Sequence, residues 1–206
     1  MYDIYQTEGI ILGSLNIREA NKLIYILSKN LGLIQATAQS IRKTKSKLKF
    51  GLQDFSIANI SLVRGKGIWR ITNVEFKSNF FYSLQNEKSK LQIISKILLL
   101  LKTLVVGEKY NEELYEIIVN AIYFLEKTKL SDKDVVNFEN LILIRVLYNL
   151  GYFNSEKKVN ENKVYKKFLD AKNMFSINIE LLNKISDIKP IVIKDINEAL
   201  YTTHLF

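Results

Sequence analysis

Residues Leu33–Gln39 read LIQATAQ, and this stretch decides the fold that the sequence predicts. Apolar residues at positions 34, 36 and 38 alternate with polar residues at positions 35, 37 and 39. Side chains of a strand point alternately to its two faces, so the alternation predicts a strand with one buried face. Four further short segments have a β-leaning composition and are predicted as strands: Tyr5–Leu12, Lys22–Leu27, Asp54–Arg64 and Ile68–Lys77.

Glycines separate these strands, since six of the eight glycines lie at or before Gly67. Asn30–Gly32 joins the second and third strands, and Gly65–Gly67 forms a tight hairpin between the fourth and fifth. Only the connection between the third and fourth strands is long and polar. Five short strands with one such interruption match an OB-type β-barrel, which we expect over residues 1–80 as a nucleic-acid-binding domain.

After about residue 83 the apolar period changes from 2 to 3.6, which predicts helices. A first helix carries the stripe that runs from Leu91 to Val105, and a second begins at Asn111. A third helix begins at Ser131, which can form a capping box with Asp134.

Gly151 supplies the C-terminal stop of this third helix. The pattern weakens from Asn154 onward, and Pro190 marks a break before a last helix around Ile193–Tyr201. The predicted fold class is therefore α+β: a five-stranded OB-type barrel, then an all-α helical domain over residues 81–206.

Positive charge is concentrated at the start of the chain. The whole sequence has 30 Lys and Arg against 21 Asp and Glu, a net charge of +9, and residues 1–80 alone hold 12 basic and 5 acidic residues. A basic first domain followed by a nearly neutral one indicates a module that binds a polyanion.

The strongest concentration is Ile41–Phe50, IRKTKSKLKF, which has five basic residues and no acid. We call residues 41–50 the basic loop. Such a loop can neutralise several phosphates and release their counterions, and the alternative is a solvated loop without a partner. Arg18, Lys22, Arg64, Lys66 and Arg70 lie in the same predicted barrel. Trp69, beside Arg70, could stack on bases, but a lone Trp on a strand indicates a core residue.

Composition argues against most enzyme and cofactor classes. The chain has no Cys and one His, His204, so the thiolate and imidazole clusters of zinc, iron–sulfur and haem sites cannot be assembled from it. Ser-His-Asp triads are nearly excluded too. The paired acids at 112–113 and at 132 and 134 lie at helix starts, where the helix dipole explains them. We expect a protein that is not an enzyme, uses no cofactor or metal, and is cytoplasmic without signal peptide or membrane span.

Five segments, taken in order and spacing, resemble one family. They are 8–12 (EGIIL), 19–23 (EANKL), 38–47 (AQSIRKTKSK), 64–69 (RGKGIW) and 147–152 (LYNLGY). Over roughly the first 150 residues the chain is similar to the bacterial recombination mediator RecO family. The family fold, an OB domain followed by a helical domain, agrees with the fold predicted from the patterns.

The resemblance implies a DNA repair and recombination mediator. Members bind single- and double-stranded DNA, anneal complementary strands, bind the acidic C-terminal tail of single-stranded-DNA-binding protein, and with RecR help load RecA onto coated DNA. The family's basic stretch contacts DNA, which corresponds here to Arg42, Lys43, Lys45 and Lys47. With the neighbouring cations, the candidate DNA-binding residues are Arg42, Lys43, Lys45, Lys47, Lys49, Arg64, Lys66 and Arg70.

Some positions depart from the family pattern. Gln39 and Ser40 stand where the family usually has Lys and Gly, and Thr44 replaces a frequent Pro. Many relatives carry a four-cysteine zinc module after the Leu-Gly-Tyr motif, and this chain has no Cys there, which implies a zinc-free version that diverges after about residue 153. A binding alternative is an OB-fold protein that acts on RNA or the ribosome.

Docking of the partner tail is expected on the helical domain. An acidic tail with an apolar end needs an apolar groove with a cation at its rim. Arg145, in the apolar run 141–147, and Tyr148 are the candidate partner-binding residues. The alternative for Arg145 is a structural ion pair with a helical acid such as Glu116 or Glu139.

Overall fold

The computed structural model describes residues 3–65, 67–105, 107–153, 164–169 and 176–203. The chain divides into two compact units. Unit 1 comprises Met1–Asn86 and Leu98–Tyr115, and unit 2 comprises Glu87–Ile97 and Glu116–Phe206. The prediction that residues 1–80 and 81–206 form two separate domains stays a prediction.

Unit 1 contains a five-stranded sheet that closes on itself. Each strand pairs with two others in the ring order β1-β2-β3-β5-β4, and β4 pairs back with β1. All pairs are antiparallel except β3 with β5, which is parallel. The strands are β1 (Ile4–Ile17), β2 (Asn21–Ser28), β3 (Gly32–Ala38), β4 (Ser56–Arg64) and β5 (Trp69–Asn79). The five predicted strands and the fold class are confirmed.

β1 is longer than predicted because it serves two partners. Its first half, Ile4–Ile10, pairs with β4, and residues 9–17 pair with β2. A β-bulge between Ile11 and Gly13 lies near the change of partner, and Gly13 has φ of 152°. A bulge bends a strand and increases its twist, so one continuous strand can pass from one side of the ring to the other.

The interior of the sheet is filled by aliphatic side chains and one indole. The alternation predicted for β3 is confirmed, since positions 34, 36 and 38 are buried and position 35 is exposed. Trp69 is 2 % exposed, which confirms its predicted core role. The cluster comprises Ile11, Ile24, Ile26, Ile34, Ala36, Ala38, Ile41, Leu52, Ala58, Ile60, Leu62, Trp69 and Ile71.

The described residues after the sheet form helices. They are α1 (Phe80–Leu84), α2 (Lys88–Leu104), α3 (Glu112–Lys127), α4 (Asp132–Asn149), α5 (Val164–Leu169), α6 (Ile179–Asp187) and α7 (Lys189–Thr202). Both predicted ends of α4 are confirmed: Ser131 and Asp134 form the reciprocal capping box, and Gly151 has φ of 81°. None of these helices is long and apolar enough to cross a membrane.

Pro190 begins a helix instead of preceding one. It lies in the first turn of α7, which starts at Lys189. The first N–H groups of a helix have no partner within it, so Pro is tolerated there and its fixed φ suits the helix. The break predicted at Pro190 therefore falls between α6 and α7, where Ile188 is the only intervening residue.

α4 is the central helix of unit 2. It packs against α5, α6 and α7, and apolar residues are buried around most of its circumference. Phe138 on α4 stacks on Phe124 of α3 with ring centroids 5.8 Å apart. Tyr165 on α5 donates a buried hydrogen bond of 2.6 Å to Asp195 on α7. The helices after residue 153 therefore contribute to one core with α4.

Candidate nucleic-acid interface

The basic loop lies in the long connection between β3 and β4, and its backbone is held by buried apolar side chains. Ile41 at its start and Leu52 just after its end belong to the barrel core, and Leu48 packs against that core. The backbone N–H of Arg42 donates to the carbonyl of Ala20, 3.0 Å away. The loop is therefore fixed at both ends by burial while its polar residues face outward.

The lysines of the loop point into solvent. Lys43, Lys45, Lys47 and Lys49 are all exposed, and none forms an ion pair with another residue in the described part of the chain. Four like charges within seven residues raise the local positive potential, because no acid lies between them. This arrangement can bind a phosphate backbone without first breaking an internal salt bridge.

Arg42 differs from these lysines because its guanidinium is used inside the protein. Its Nη1 donates to the carbonyl of Glu19 at 2.9 Å, in the turn between β1 and β2. An arginine has five N–H donors, so the group can hold the turn and still present its charge outward. Arg42 is therefore both an anchor of the loop and a candidate phosphate contact.

A pocket of about 290 Å³ lies beside the loop and has three cations in its lining. They are Lys22 from β2 and Arg42 and Lys49 from the basic loop, and Ile41, Leu52 and Gln53 complete the lining. Lys22 Nζ donates to Ser14 Oγ at 3.1 Å, which orients the ammonium group. Cations that surround one cavity favour an anionic group inside it. The structure thus brings together two predicted DNA-binding residues and adds Lys22.

Arg64 lies in a different environment from the loop cations. Its Nη1 forms an ion pair of 2.8 Å with Glu108, and its guanidinium stacks over the Trp69 ring at 4.9 Å from the centroid. Trp69 Nε1 donates to the same carboxylate at 2.9 Å. A phosphate would have to compete with Glu108 for Arg64, so we expect Arg64 to contribute less to anion binding than the loop lysines.

Of the two other predicted contacts, only Arg70 lies in the described part of the chain. Arg70 is exposed at the start of β5 and is paired with Thr37 of β3, close to where the loop connection begins. Lys66 lies outside the described residues. The DNA-binding role of all eight candidate residues stays a prediction.

Arg145 lies at a different place from the one predicted. The sequence predicts a cation at the rim of a groove, and the structure buries the side chain completely within unit 2. Its Nε donates to the carbonyl of Phe168 at 3.2 Å and its Nη2 to that of Ser176 at 2.9 Å. Burial lowers the pKa of the guanidinium to about 10.

The location of Arg145 therefore indicates a structural role instead of a partner contact. The predicted alternative, an ion pair of Arg145 with a helical acid such as Glu116 or Glu139, stays a prediction, and Glu139 is paired with Lys96 at 3.4 Å. Tyr148, the second partner-binding candidate, is half-buried on α4 and stays a prediction.

Two residues beside the basic loop were not predicted from the sequence. Gln53 lines the cationic pocket, and Tyr82 on α1 donates a hydrogen bond of 3.2 Å to its amide oxygen. The available signal was the aromatic run Phe80–Tyr82, three consecutive rings directly after the fifth strand. Among the residues described by the structure, no cluster of three or more His, Cys, Asp or Glu side chains could hold a metal ion.

Comparison with known proteins relates the chain to one family. Residues 1–80 match the family model described as "Recombination protein O N terminal". A "DNA repair protein RecO" from Acetivibrio thermocellus is 29 % identical over 147 residues, which are 71 % of this chain and 57 % of that protein. One from Thermodesulfovibrio yellowstonii is 30 % identical over 149 residues, 72 % of this chain and 58 % of that protein.

A longer match comes from Caldicellulosiruptor saccharolyticus, whose "DNA repair protein RecO" is 26 % identical over 222 aligned residues. That alignment covers 96 % of this chain and 88 % of the relative. The alignment with the Acetivibrio thermocellus protein, in contrast, spans little more than half of the relative's length. The family model covers all five strands and the basic loop.

Proposed function

Because the chain belongs to the RecO family, we propose that it acts in DNA repair and recombination by binding DNA through the basic loop and its neighbouring cations. The observation that carries the proposal is the group of exposed lysines at 43, 45, 47 and 49, which have no internal ion pair among the described residues. The names of the matched relatives support the same role.

The proposed mechanism is neutralisation of phosphate charge. Each lysine that contacts a phosphate displaces condensed counterions, so binding is driven by the entropy of ion release and weakens as salt rises. Phosphate contacts fix the position of a strand without reading its sequence. We therefore propose binding to both single- and double-stranded DNA with little sequence preference.

We propose annealing of complementary strands as the consequence of this neutralisation. Two DNA strands repel each other, and a surface that lowers the charge of one strand lets the second approach. The proposal needs no bond to be made or broken by the protein, which agrees with a mediator that is not an enzyme. Labelled DNA incubated with Mg²⁺ and the protein should therefore stay intact.

The partners proposed from the family resemblance are RecR and the acidic C-terminal tail of single-stranded-DNA-binding protein, with RecA loaded indirectly. An acidic tail needs a cation near an apolar surface. Since Arg145 is buried, a tail site on the helical part of the chain would depend on other cations, with Tyr148 as the remaining candidate contact.

The test compares fluorescence anisotropy of labelled single-stranded DNA, duplex DNA and single-stranded RNA of matched sequence at several salt concentrations. We expect both DNA forms to bind with an affinity that falls as salt rises. Preference for RNA over both DNA forms would overturn the proposal in favour of an RNA-binding protein.

A strand-annealing assay follows, with and without cognate single-stranded-DNA-binding protein on the strands. We expect the protein to accelerate annealing of coated strands. DNA binding without any acceleration would refute the annealing part of the proposal and leave the binding part standing.

A further inference from the structure

Two aromatic side chains stand exposed beside the basic loop. Phe50, the last residue of the loop, is 57 % exposed, and Tyr82 on α1 is 53 % exposed. An exposed phenyl ring forgoes the free energy of burial, about 25 cal/mol for each Å² left in water. A partner that covers the exposed part of Phe50 would gain this free energy.

Each ring packs against one other aromatic side chain. Phe50 packs on Phe76 of β5, with ring centroids 4.5 Å apart and planes tilted by 55°. Tyr82 meets Phe81 edge to face at 5.8 Å, and its hydroxyl donates to Gln53. These contacts restrain the orientation of the rings, and the exposed part of each stays available to a flat partner.

The two rings adjoin the cationic pocket through their immediate neighbours. Lys49, next to Phe50 in the chain, lines the pocket, and so does Gln53, the partner of Tyr82. Arg42 and Lys22 complete the charge around it. Nucleotides have this same arrangement of groups, because each carries an anionic phosphate and a flat base joined by a sugar.

Resting on the proposed function, we propose that Phe50 and Tyr82 form a base-stacking platform for unpaired DNA. Backbone phosphates would contact Lys22, Arg42 and Lys49, while bases of the same strand stack on the two rings. Every base has a flat face, so stacking tolerates any sequence. Bases of a duplex are already stacked on one another, so the rings add affinity for single strands and little for duplex DNA.

The charge around the rings favours this occupant over an apolar peptide. The basic loop brings four lysines and Arg42 and contains no acid, and the nearest acid that follows it is Asp54. An uncharged apolar segment would gain nothing from these cations. A strand that supplies both phosphates and bases uses both features of the surface.

The experiment compares Phe50→Ala, Tyr82→Ala and the double variant with the parent protein. Affinities for a single-stranded oligonucleotide and for duplex DNA are measured by anisotropy at several salt concentrations. Stacking of one base on an aromatic side chain corresponds to about 10-fold in affinity. We expect about that loss of single-strand affinity for each ring, less than 2-fold change for duplex, and an unchanged salt slope because no charge is removed.

Two further variants separate the ring from other effects. Tyr82→Phe keeps the ring and loses the hydroxyl, and it should retain single-strand affinity. Tyr201→Ala removes an aromatic side chain that is 69 % exposed on α7, away from the basic loop in sequence, and it should change neither affinity. Should an alanine variant fold poorly, ultraviolet crosslinking of the parent protein to oligothymidine, followed by mass spectrometry, should yield crosslinks at Phe50 or Tyr82.

The outcomes distinguish the platform from the proposed function. Equal losses for single-stranded and duplex DNA, or no loss for either, would overturn the platform while DNA binding itself stands. A parent protein that binds neither form of DNA at low salt would overturn the proposed function. Crosslinks confined to peptides that contain neither ring would also refute the platform.

Discussion

Replacing Lys43, Lys45 and Lys47 together by Ala removes three positive charges from the basic loop without touching its anchors. All three side chains are exposed, whereas the loop is held by Ile41 and Leu52 in the barrel core. Arg42 is kept because its guanidinium also bonds the turn between β1 and β2. The variant therefore tests phosphate contacts separately from folding.

The magnitude follows from counterion release. Each phosphate contact contributes about 0.7 to the slope of log affinity against log salt for single strands and about 0.9 for duplex DNA. If all three lysines contact phosphates, the slope for single strands should fall by about 2. If the three contacts contribute nothing to affinity at 1 M salt, the affinity of the variant for single strands should be about 100-fold below that of the parent at 0.1 M salt and only about 7-fold below it at 0.4 M.

The assay is anisotropy of a labelled oligonucleotide at four or more salt concentrations between these limits. A matched control replaces Lys129, Lys133 and Lys166 by Ala, which makes the same change in net charge at exposed positions in unit 2. The control should lose much less affinity, because only local contacts release condensed counterions. Thermal unfolding of both variants should stay close to that of the parent.

Two results would refute the reasoning. An affinity and a salt slope that both match the parent would remove the basic loop from the binding surface. Equal slope changes in the loop variant and the control would show that net charge, and not the loop, determines binding.

Three further outcomes are expected. Arg145→Ala removes two buried hydrogen bonds, to the carbonyls of Phe168 and Ser176, and the packing of a buried side chain, so it should cost about 3 kcal/mol in urea unfolding. A loss below about 1 kcal/mol would contradict the structural role. Gly32→Ala should lower the free energy of unfolding by at least about 1 kcal/mol, because Gly32 has φ of 71° and an added Cβ would lie 2.1 Å from the carbonyl oxygen of Lys109. A melting temperature equal to that of the parent would argue against this geometry. Chelators should leave the melting temperature unchanged, since the sequence has no Cys and a single His, and purified protein with stoichiometric zinc would disprove this expectation.

Strand positions were predictable because one face of each strand is buried in the same core. In β3 the apolar positions 34, 36 and 38 all face inward, and a period of 2 follows directly. β1 was predicted to stop at Leu12, because Gly13 is typical of a turn. The same glycine instead accompanies a bulge, and the strand continues to Ile17 because β2 offers a partner.

The positive charge of the candidate site could be predicted from the sequence, but the contacts between its side chains could not. The basic loop is visible as a run of lysines without an acid, whereas the pocket beside it needs Lys22 of β2 to lie next to Arg42 and Lys49. Local sequence patterns also cannot show which backbone carbonyls from distant residues will accept hydrogen bonds from a buried side chain. Arg145 is satisfied by residues more than 20 positions later, in a part of the chain where the apolar pattern is weak.

The pairing of β1 with β4 has a consequence for the synthesis of the chain. Ile4 is partnered by Val63, so these two paired residues lie roughly 60 positions apart in the sequence, which makes the contact strongly non-local. A ribosome that adds about 5–20 residues per second needs about 3–12 s to make the intervening segment. During that interval one edge of β1 has no strand to pair with, and Ile11 has no closed barrel core to enter. This is the stage at which a chaperone that holds apolar segments would protect the nascent chain most.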